Sequence, residues 1–193
     1  CRLPSAAHPA SNFADAEPAD TTHWHRSTRD LRKPTGATEL TTTTTPTVRP
    51  LAPTDETRWR VLFREYRTFY KLPESEDIVS RAWGWFMDPR HECKALVAEA
   101  HGEILGFAHH RRFSSPYTGT TGLFLDDLFT DPAARGRGVG RALIERLTEM
   151  AAAEGRAVVQ WVTAEDNHRA QALYNTLATR TNWVTYEAEP SAR

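Results

Sequence analysis

The pattern of apolar and polar positions changes near residue 47 and divides the chain in two. Residues 1–46 are rich in proline and threonine, with a threonine run from Thr41 to Thr45 and few branched aliphatic residues. Such a stretch buries too little apolar surface to offset the entropy lost on ordering it. We therefore predict a disordered tail and linker over 1–46, one folded domain over 47–188 and a short C-terminal tail over 189–193.

Two kinds of apolar spacing alternate along the predicted domain. A helical stripe that includes Trp59, Phe63 and Tyr66 predicts a first helix with Thr54 as its N-cap. The strand at 157–162 is apolar on nearly both faces, which is typical of the middle of a sheet. The remaining predicted elements are helices from about 75 to 87, from 139 to 155 and from 167 to 178, and strands at 94–100, 104–113, 122–130 and 183–186. This order indicates an α/β fold (α+β, with a mixed sheet).

Composition and charge exclude several classes of protein. The 24 Lys and Arg residues nearly balance the 25 Asp and Glu residues, so bulk positive charge for nucleic acid is lacking. No apolar run approaches the ~18 residues of a membrane span, and the N-terminus lacks the pattern of a secretory signal. His23 and His25 flank Trp24 without further metal ligands at fixed spacing. We expect a cytoplasmic protein with no metal, nucleic-acid or membrane partner.

The segment from Leu128 to Arg141 carries the candidate chemistry. A strand ends there, a glycine-rich turn follows, and a helix begins within the glycines. The first amides of a helix have no internal acceptor, and glycines let an anion approach them closely, so this loop suits a phosphate or pyrophosphate. It lacks the Gly-Lys-Ser/Thr ending of a P-loop, and no Rossmann strand repeat precedes it.

The pattern Arg135-x-x-Gly138-x-Gly140 resembles the pyrophosphate loop of the GCN5-related N-acetyltransferases (GNAT). The preceding run, Phe124 to Phe129, resembles the diamine acetyltransferase type, and the first helix is similar to small fungal histone and polyamine acetyltransferases. The resemblance implies the acyl-CoA N-acyltransferase fold and direct transfer of acetyl from acetyl-CoA to a primary amine. The expected acceptor is a small molecule, polyamine-like or an amine-bearing drug. A homodimer, common in the family, stays open.

The resemblance also implies which residues hold acetyl-CoA. The backbone of Leu128, Phe129 and Thr130 would pair with the pantetheine arm as another strand. Asn167 would hydrogen-bond the cofactor, with Ala170 packed beside it. The pyrophosphate would be held by the loop residues Arg135, Gly136, Arg137, Gly138, Val139, Gly140 and Arg141.

Two residues match the family's catalytic positions. An alkylammonium has a pKa near ~10.4, so a base must take its proton before it attacks, and Asp126 matches that role. Tyr174 matches the acid that protonates the leaving thiolate, with core packing on its helix as the alternative. Asp126 and Asp127 alternate across the strand, so only one should face the substrate unless a bulge intervenes. A water relay to the shorter Asp side chain also stays open.

Several alternatives remain at this point. By alternation, one of His109 and His110 should point inward and the other outward. A solvated strand residue is expected, and a histidine in the substrate channel is the alternative. The acids Glu74, Glu76 and Asp77 either attract a polycation or form a solvated helix start. A protein-lysine acetyltransferase and a non-catalytic acyl-CoA-binding regulatory module are the competing functions.

Overall fold

A five-stranded mixed sheet forms the centre of the domain. The structure, a computed structural model, describes residues 45–191; the predicted tail, with His23 and His25, lies outside the described residues. The strands lie in the order β1 to β5, antiparallel except for the parallel pair β4–β5. Their bounds are β1 Thr47–Pro50, β2 Lys94–Ala100, β3 Glu103–Ser115, β4 Thr120–Thr130 and β5 Val158–Trp161. The fold class is the predicted one.

Helices cover both faces of the sheet. A 3₁₀ turn, Pro53–Asp55, leads into α1 (Glu56–Phe69), and α2 (Glu76–Met87) follows. Both pack on one face, where the fully buried Trp59 and Phe107 centre an aromatic core. On the other face, α3 (Val139–Ala153) and α4 (His168–Tyr174) pack over an aliphatic core. No helix among the described residues has the length and apolar character to cross a membrane.

Short sequence patterns predict some of the helix ends and turns correctly. Ser75 caps α2 by accepting the backbone N–H of Ile78, and Gly155 follows α3 in the left-handed region at φ 64°. The prediction of Thr54 as the N-cap of α1 is wrong, because Thr54 lies in the 3₁₀ turn and the N-cap of α1 is Asp55. The hairpin turn at His101 and Gly102 is confirmed, with positive φ at both residues.

Two predictions about strands are wrong. Residues 179–191 form no strand, and Trp183 in the predicted last strand is 82% exposed. In consequence β5, predicted for the middle of the sheet, is an edge strand within residues 45–191, and its Val158 is 43% exposed. The prediction also missed β1, whose four residues include one valine and a proline and so carry no alternating pattern.

Candidate active site

A bulge in β4 and the separation of two strands shape the site. β3 pairs His109 with Asp127 and His110 with Leu125, so Asp126 is the extra residue on β4. β4 and β5 pair only as far as Leu125 and Trp161, where β5 ends. Within residues 45–191, β5 therefore does not pair with β4 from the bulge to Thr130, and Arg135 Nε donates to the Thr130 carbonyl at 3.4 Å. The backbone groups along this edge suit a ligand that pairs like a strand.

A cavity of about 460 Å³ lies beside this free edge. It collects residues from α1, β4, the glycine loop, β5 and α4. Both predicted catalytic residues, Asp126 and Tyr174, line it, and so do all the predicted acetyl-CoA residues except Arg137, which is exposed outside it. The lining residues that sequence reasoning missed are Tyr66, Phe69, Tyr70, Leu125, Trp161, Val162, Thr163, Arg169 and Leu173.

The glycine loop supplies amide donors at the start of α3. Gly136 and Gly138 have φ of 81° and 82°, left-handed values that other residues adopt at a cost. Gly138 is the N-cap of α3 and has no capping side chain, so the first amides of the helix stay available to an anion. Arg135 lies 6.0 Å from the ring centres of Phe69 and Phe129, which holds its guanidinium at the cavity wall.

The side chain of Asp126 pairs with Arg111 at the cavity wall. Arg111 Nε donates to Asp126 Oδ1 at 3.1 Å. Burial raises the pKa of the Asp126 carboxyl above its usual value, and Arg111 offsets part of this effect. A carboxylate with a raised pKa is a stronger base than an ordinary aspartate, so this environment suits proton abstraction.

Asp127 has a different environment, a buried hydrogen-bond network. Trp59 Nε1 donates to His109 Nε2 at 3.0 Å, which leaves the His109 proton on Nδ1. His109 Nδ1 lies 2.8 Å from Asp127 Oδ2, and the Tyr66 hydroxyl donates to Asp127 Oδ1 at 2.5 Å. Burial alone would raise the pKa of Asp127, but the His109 and Tyr66 hydrogen bonds outweigh it and lower the pKa. Asp127 is therefore a fixed anion behind Tyr66 and a weaker base than Asp126.

The two histidines correct the expectation that one of them faces solvent. His109 is 3% and His110 is 5% exposed. They point to opposite faces of the sheet as alternation requires, but helices cover both faces, so both side chains are buried. The acid Glu76 is bound by Arg64 through two contacts of 2.6 and 2.8 Å, which favours the solvated-helix interpretation of that cluster.

Aromatic side chains form a further part of the cavity wall. Tyr174 packs edge-on against Trp161 with 5.4 Å between ring centres, and burial, with a smaller contribution from Tyr70, raises its pKa to about 12. The phenol is thus protonated at neutral pH. Tyr66, Phe69 and Tyr70 come from the end of α1. The helical stripe in the sequence includes Tyr66 and Phe69, but it does not show that the end of α1 faces the site rather than the core.

Comparison with known proteins identifies the family. Residues 57–178 match the family profile described as the acetyltransferase (GNAT) family. The D-amino-acid N-acetyltransferase HPA3 of Saccharomyces cerevisiae is 33% identical over 142 residues, which cover 72% of this chain and 88% of that protein. Thialysine N-epsilon-acetyltransferase of Sus scrofa is 30% identical over 130 residues, covering 62% of this chain and 75% of the relative.

Solved structures share the fold. A ribosomal-protein-alanine N-acetyltransferase from Brucella melitensis biovar Abortus 2308 superimposes with a TM-score of 0.66 at 22% identity, covering 75% of this chain and 99% of that one. The aminoglycoside N-acetyltransferase AAC(6')-Iy in complex with CoA gives a TM-score of 0.66 at 19% identity, covering 76% and 95%. The chain belongs to the acetyltransferase (GNAT) family. It is an acetyl-CoA-dependent N-acetyltransferase that acts on amines.

Proposed function

We propose that the protein acetylates a primary amine of a small molecule by direct attack, with Asp126 as the base and Tyr174 as the acid. One observation carries the proposal: a single cavity is lined by the glycine loop, by Asp126 and by the protonated Tyr174. The names of the relatives, which act on D-amino acids and thialysine, support a small-molecule acceptor over a protein.

The residues present fit the parts of acetyl-CoA. The amides at the start of α3, with Arg135 and Arg141, offer donors and positive charge for the pyrophosphate. The free edge of β4 from Leu128 to Thr130 offers backbone groups to the amide-containing arm. Asn167 already accepts the Ala170 N–H at 3.3 Å as the N-cap of α4, so its side chain is held where it lines the cavity.

The proposed steps conserve atoms and charge. Asp126 takes a proton from the bound ammonium, directly or through one water, which frees the nitrogen lone pair. The nitrogen then bonds to the thioester carbonyl carbon, and the carbon–sulfur bond breaks. Tyr174 donates its proton to the departing sulfur, and the second proton lost by the nitrogen returns the tyrosinate to a phenol. The products are an N-acetyl amide and CoA thiol, and the proton that Asp126 took passes to water.

The test combines binding with turnover. Calorimetry should detect acetyl-CoA binding to the full chain, and thiol release should be observed with at least one primary amine in a panel of amino acids, diamines and aminoglycosides. Acetyl-CoA binding without thiol release across that panel would favour the non-catalytic module. Acetylation confined to lysine-containing peptides would favour the protein acetyltransferase.

A further inference from the structure

An arginine beside the proposed base has two nitrogen groups without partners among the described residues. Arg111 lies on β3 opposite Phe124, and only its Nε is engaged, as a donor to Asp126. Its Nη1 and Nη2 make no hydrogen bond to residues 45–191. The side chain is 36% exposed. The guanidinium therefore presents a pair of free N–H donors next to a carboxylate that lines the cavity.

The guanidinium is also held in place before any ligand arrives. Its carbon lies 4.8 Å from the centre of the Phe124 ring, and the Nε contact to Asp126 fixes the second direction. A side chain that is already ordered loses less rotamer entropy on binding a ligand. Arg111 is thus suited to recognition rather than to charge neutralisation of Asp126 alone.

We propose that Arg111 binds a carboxylate of the acceptor, so that the acceptor is an amino acid with its reacting amine close to its own carboxylate. The inference rests on the proposed function, because it requires the amine to lie at Asp126. The two oxygens of a carboxylate match the planar Nη1 and Nη2 pair, while Nε stays on Asp126. The zwitterion then meets an opposite charge at each end.

The arginine beside Asp126 disfavours the polyamine expected from the sequence. Arg111 contacts Asp126, where the reacting amine is proposed to lie. The second ammonium of a diamine would find a like charge and no partner at Arg111. Arg111 would attract the carboxylate of an amino acid and repel the second ammonium of a diamine. It would therefore select amino acids over diamines.

The experiment compares each amino acid with the amine that lacks only its carboxylate. Wild type and Arg111→Gln are assayed by thiol release with saturating acetyl-CoA on phenylalanine (D and L) against phenethylamine, and on lysine against cadaverine. In wild type we expect kcat/KM to favour the amino acid in at least one pair. Arg111→Gln should reduce that preference about 10- to 100-fold, the effect of losing a charged hydrogen-bonded pair. The ratio cancels any effect of the variant on Asp126 itself.

Controls separate this inference from the proposed function. Arg112→Gln removes the neighbouring arginine, whose Nε and Nη2 bind Glu154, and should leave the preference within about twofold of wild type. Arg111→Lys keeps the positive charge but lacks the planar pair of N–H donors, so it should retain part of the preference. A wild-type preference for the amines, or an unchanged ratio in Arg111→Gln, overturns the inference alone. Absence of thiol release with every acceptor overturns the proposed function and the inference with it.

Discussion

At the residue scale, the β4 bulge gives two adjacent aspartates different chemistry. Asp126, the extra residue, lines the cavity, and burial raises its pKa. Asp127 is held by His109 and Tyr66, which keep its pKa low despite burial. Without the bulge, alternation would send the two side chains to opposite faces of the sheet. The bulge therefore lets β4 supply both the proposed base and a fixed negative charge near one site.

We expect Asp126→Asn to lower kcat about 100-fold and to leave the Kd of acetyl-CoA within about twofold, because a base is lost and the cofactor contacts are not. The acid limb of the kcat/KM profile for the amine should also disappear. In wild type that limb rises as Asp126 loses its proton, and its midpoint should lie above the ordinary value of 3.8. Steady-state kinetics from pH 4 to 9 and calorimetry measure both effects.

The neighbouring substitution serves as the comparison. Asp127→Asn puts an amide N–H group against either His109 Nδ1 or the Tyr66 hydroxyl, so one donor loses its acceptor. We expect it to lower the free energy of unfolding by about 1–3 kcal/mol and to leave an acid limb in the pH profile. If Asp127→Asn removes the limb and Asp126→Asn retains it, the assignment of the base is wrong.

Tyr174 should act on turnover and not on binding. Tyr174→Phe keeps the packing on Trp161 but removes the phenol proton, so we expect kcat to fall about 100-fold with the acetyl-CoA Kd little changed. Tyr70→Phe is the control, because it removes another phenol that lines the cavity and whose pKa is also raised by burial. We expect kcat to fall much less in Tyr70→Phe than in Tyr174→Phe. Turnover that is equal in wild type and Tyr174→Phe would assign protonation of the thiolate to water.

At the element scale, the start of α3 depends on the left-handed glycine that caps it. Gly138→Ala should lower the free energy of unfolding by about 1–2 kcal/mol, because a Cβ is strained at φ 82°. It should also weaken acetyl-CoA binding, since relief of the strain moves the helix amides. Gly84→Ala, at an exposed position inside α2 with open space around it, should instead stabilise the protein by about 0.5–1 kcal/mol. Urea unfolding and calorimetry test both variants, and equal cofactor affinities in the two would contradict the role of the loop.

Elements were predictable where one local pattern was sufficient. The apolar stripe of α1 and the second helix, predicted from about 75 to 87, depend on patterns within a few residues, and both helices are confirmed. A strand is stable only with a partner, so β-prone residues such as Trp183 and Val184 do not by themselves form one. β1 shows the converse, since it has little strand pattern but is held by pairing with β2.

The residues of the site were likewise predictable only where they follow one another in the sequence. The loop from Arg135 to Arg141 is contiguous in sequence, so it could be predicted as part of the site, and all of it except Arg137 lines the cavity. The bulge at Asp126 comes from the register between two strands, and the Trp59–His109 contact joins residues 50 positions apart. The sequence pattern shows neither the register nor the face of α1 that meets the cavity.

At the scale of the whole molecule, helices cover both faces of the sheet, and His110 is buried with no hydrogen-bond partner for its Nδ1 atom among residues 45–191. It lies at a second, smaller cavity of about 290 Å³ between β2, β3 and α3, with Lys94 and Arg112 among the lining residues. Burial, with repulsion from Arg112, lowers its pKa to about 4. The folded protein therefore keeps this histidine neutral at pH values where the unfolded chain would protonate it.

This burial should make the fold acid-sensitive. As pH falls from about 6.5 to about 4, the unfolded state binds a proton at His110 that the folded state does not, so stability decreases through that window. The full shift corresponds to roughly 3 kcal/mol. His110→Gln cannot titrate, so its free energy of unfolding should fall less than that of wild type between pH 7 and pH 4 by about this amount. The carboxylates are the same in both proteins, so their effect cancels in the comparison. His168→Gln, at an exposed position, is the control, and its loss of unfolding free energy between pH 7 and pH 4 should equal that of wild type. Urea unfolding at several pH values measures the difference, and parallel curves for wild type and His110→Gln would show that His110 protonates equally in both states.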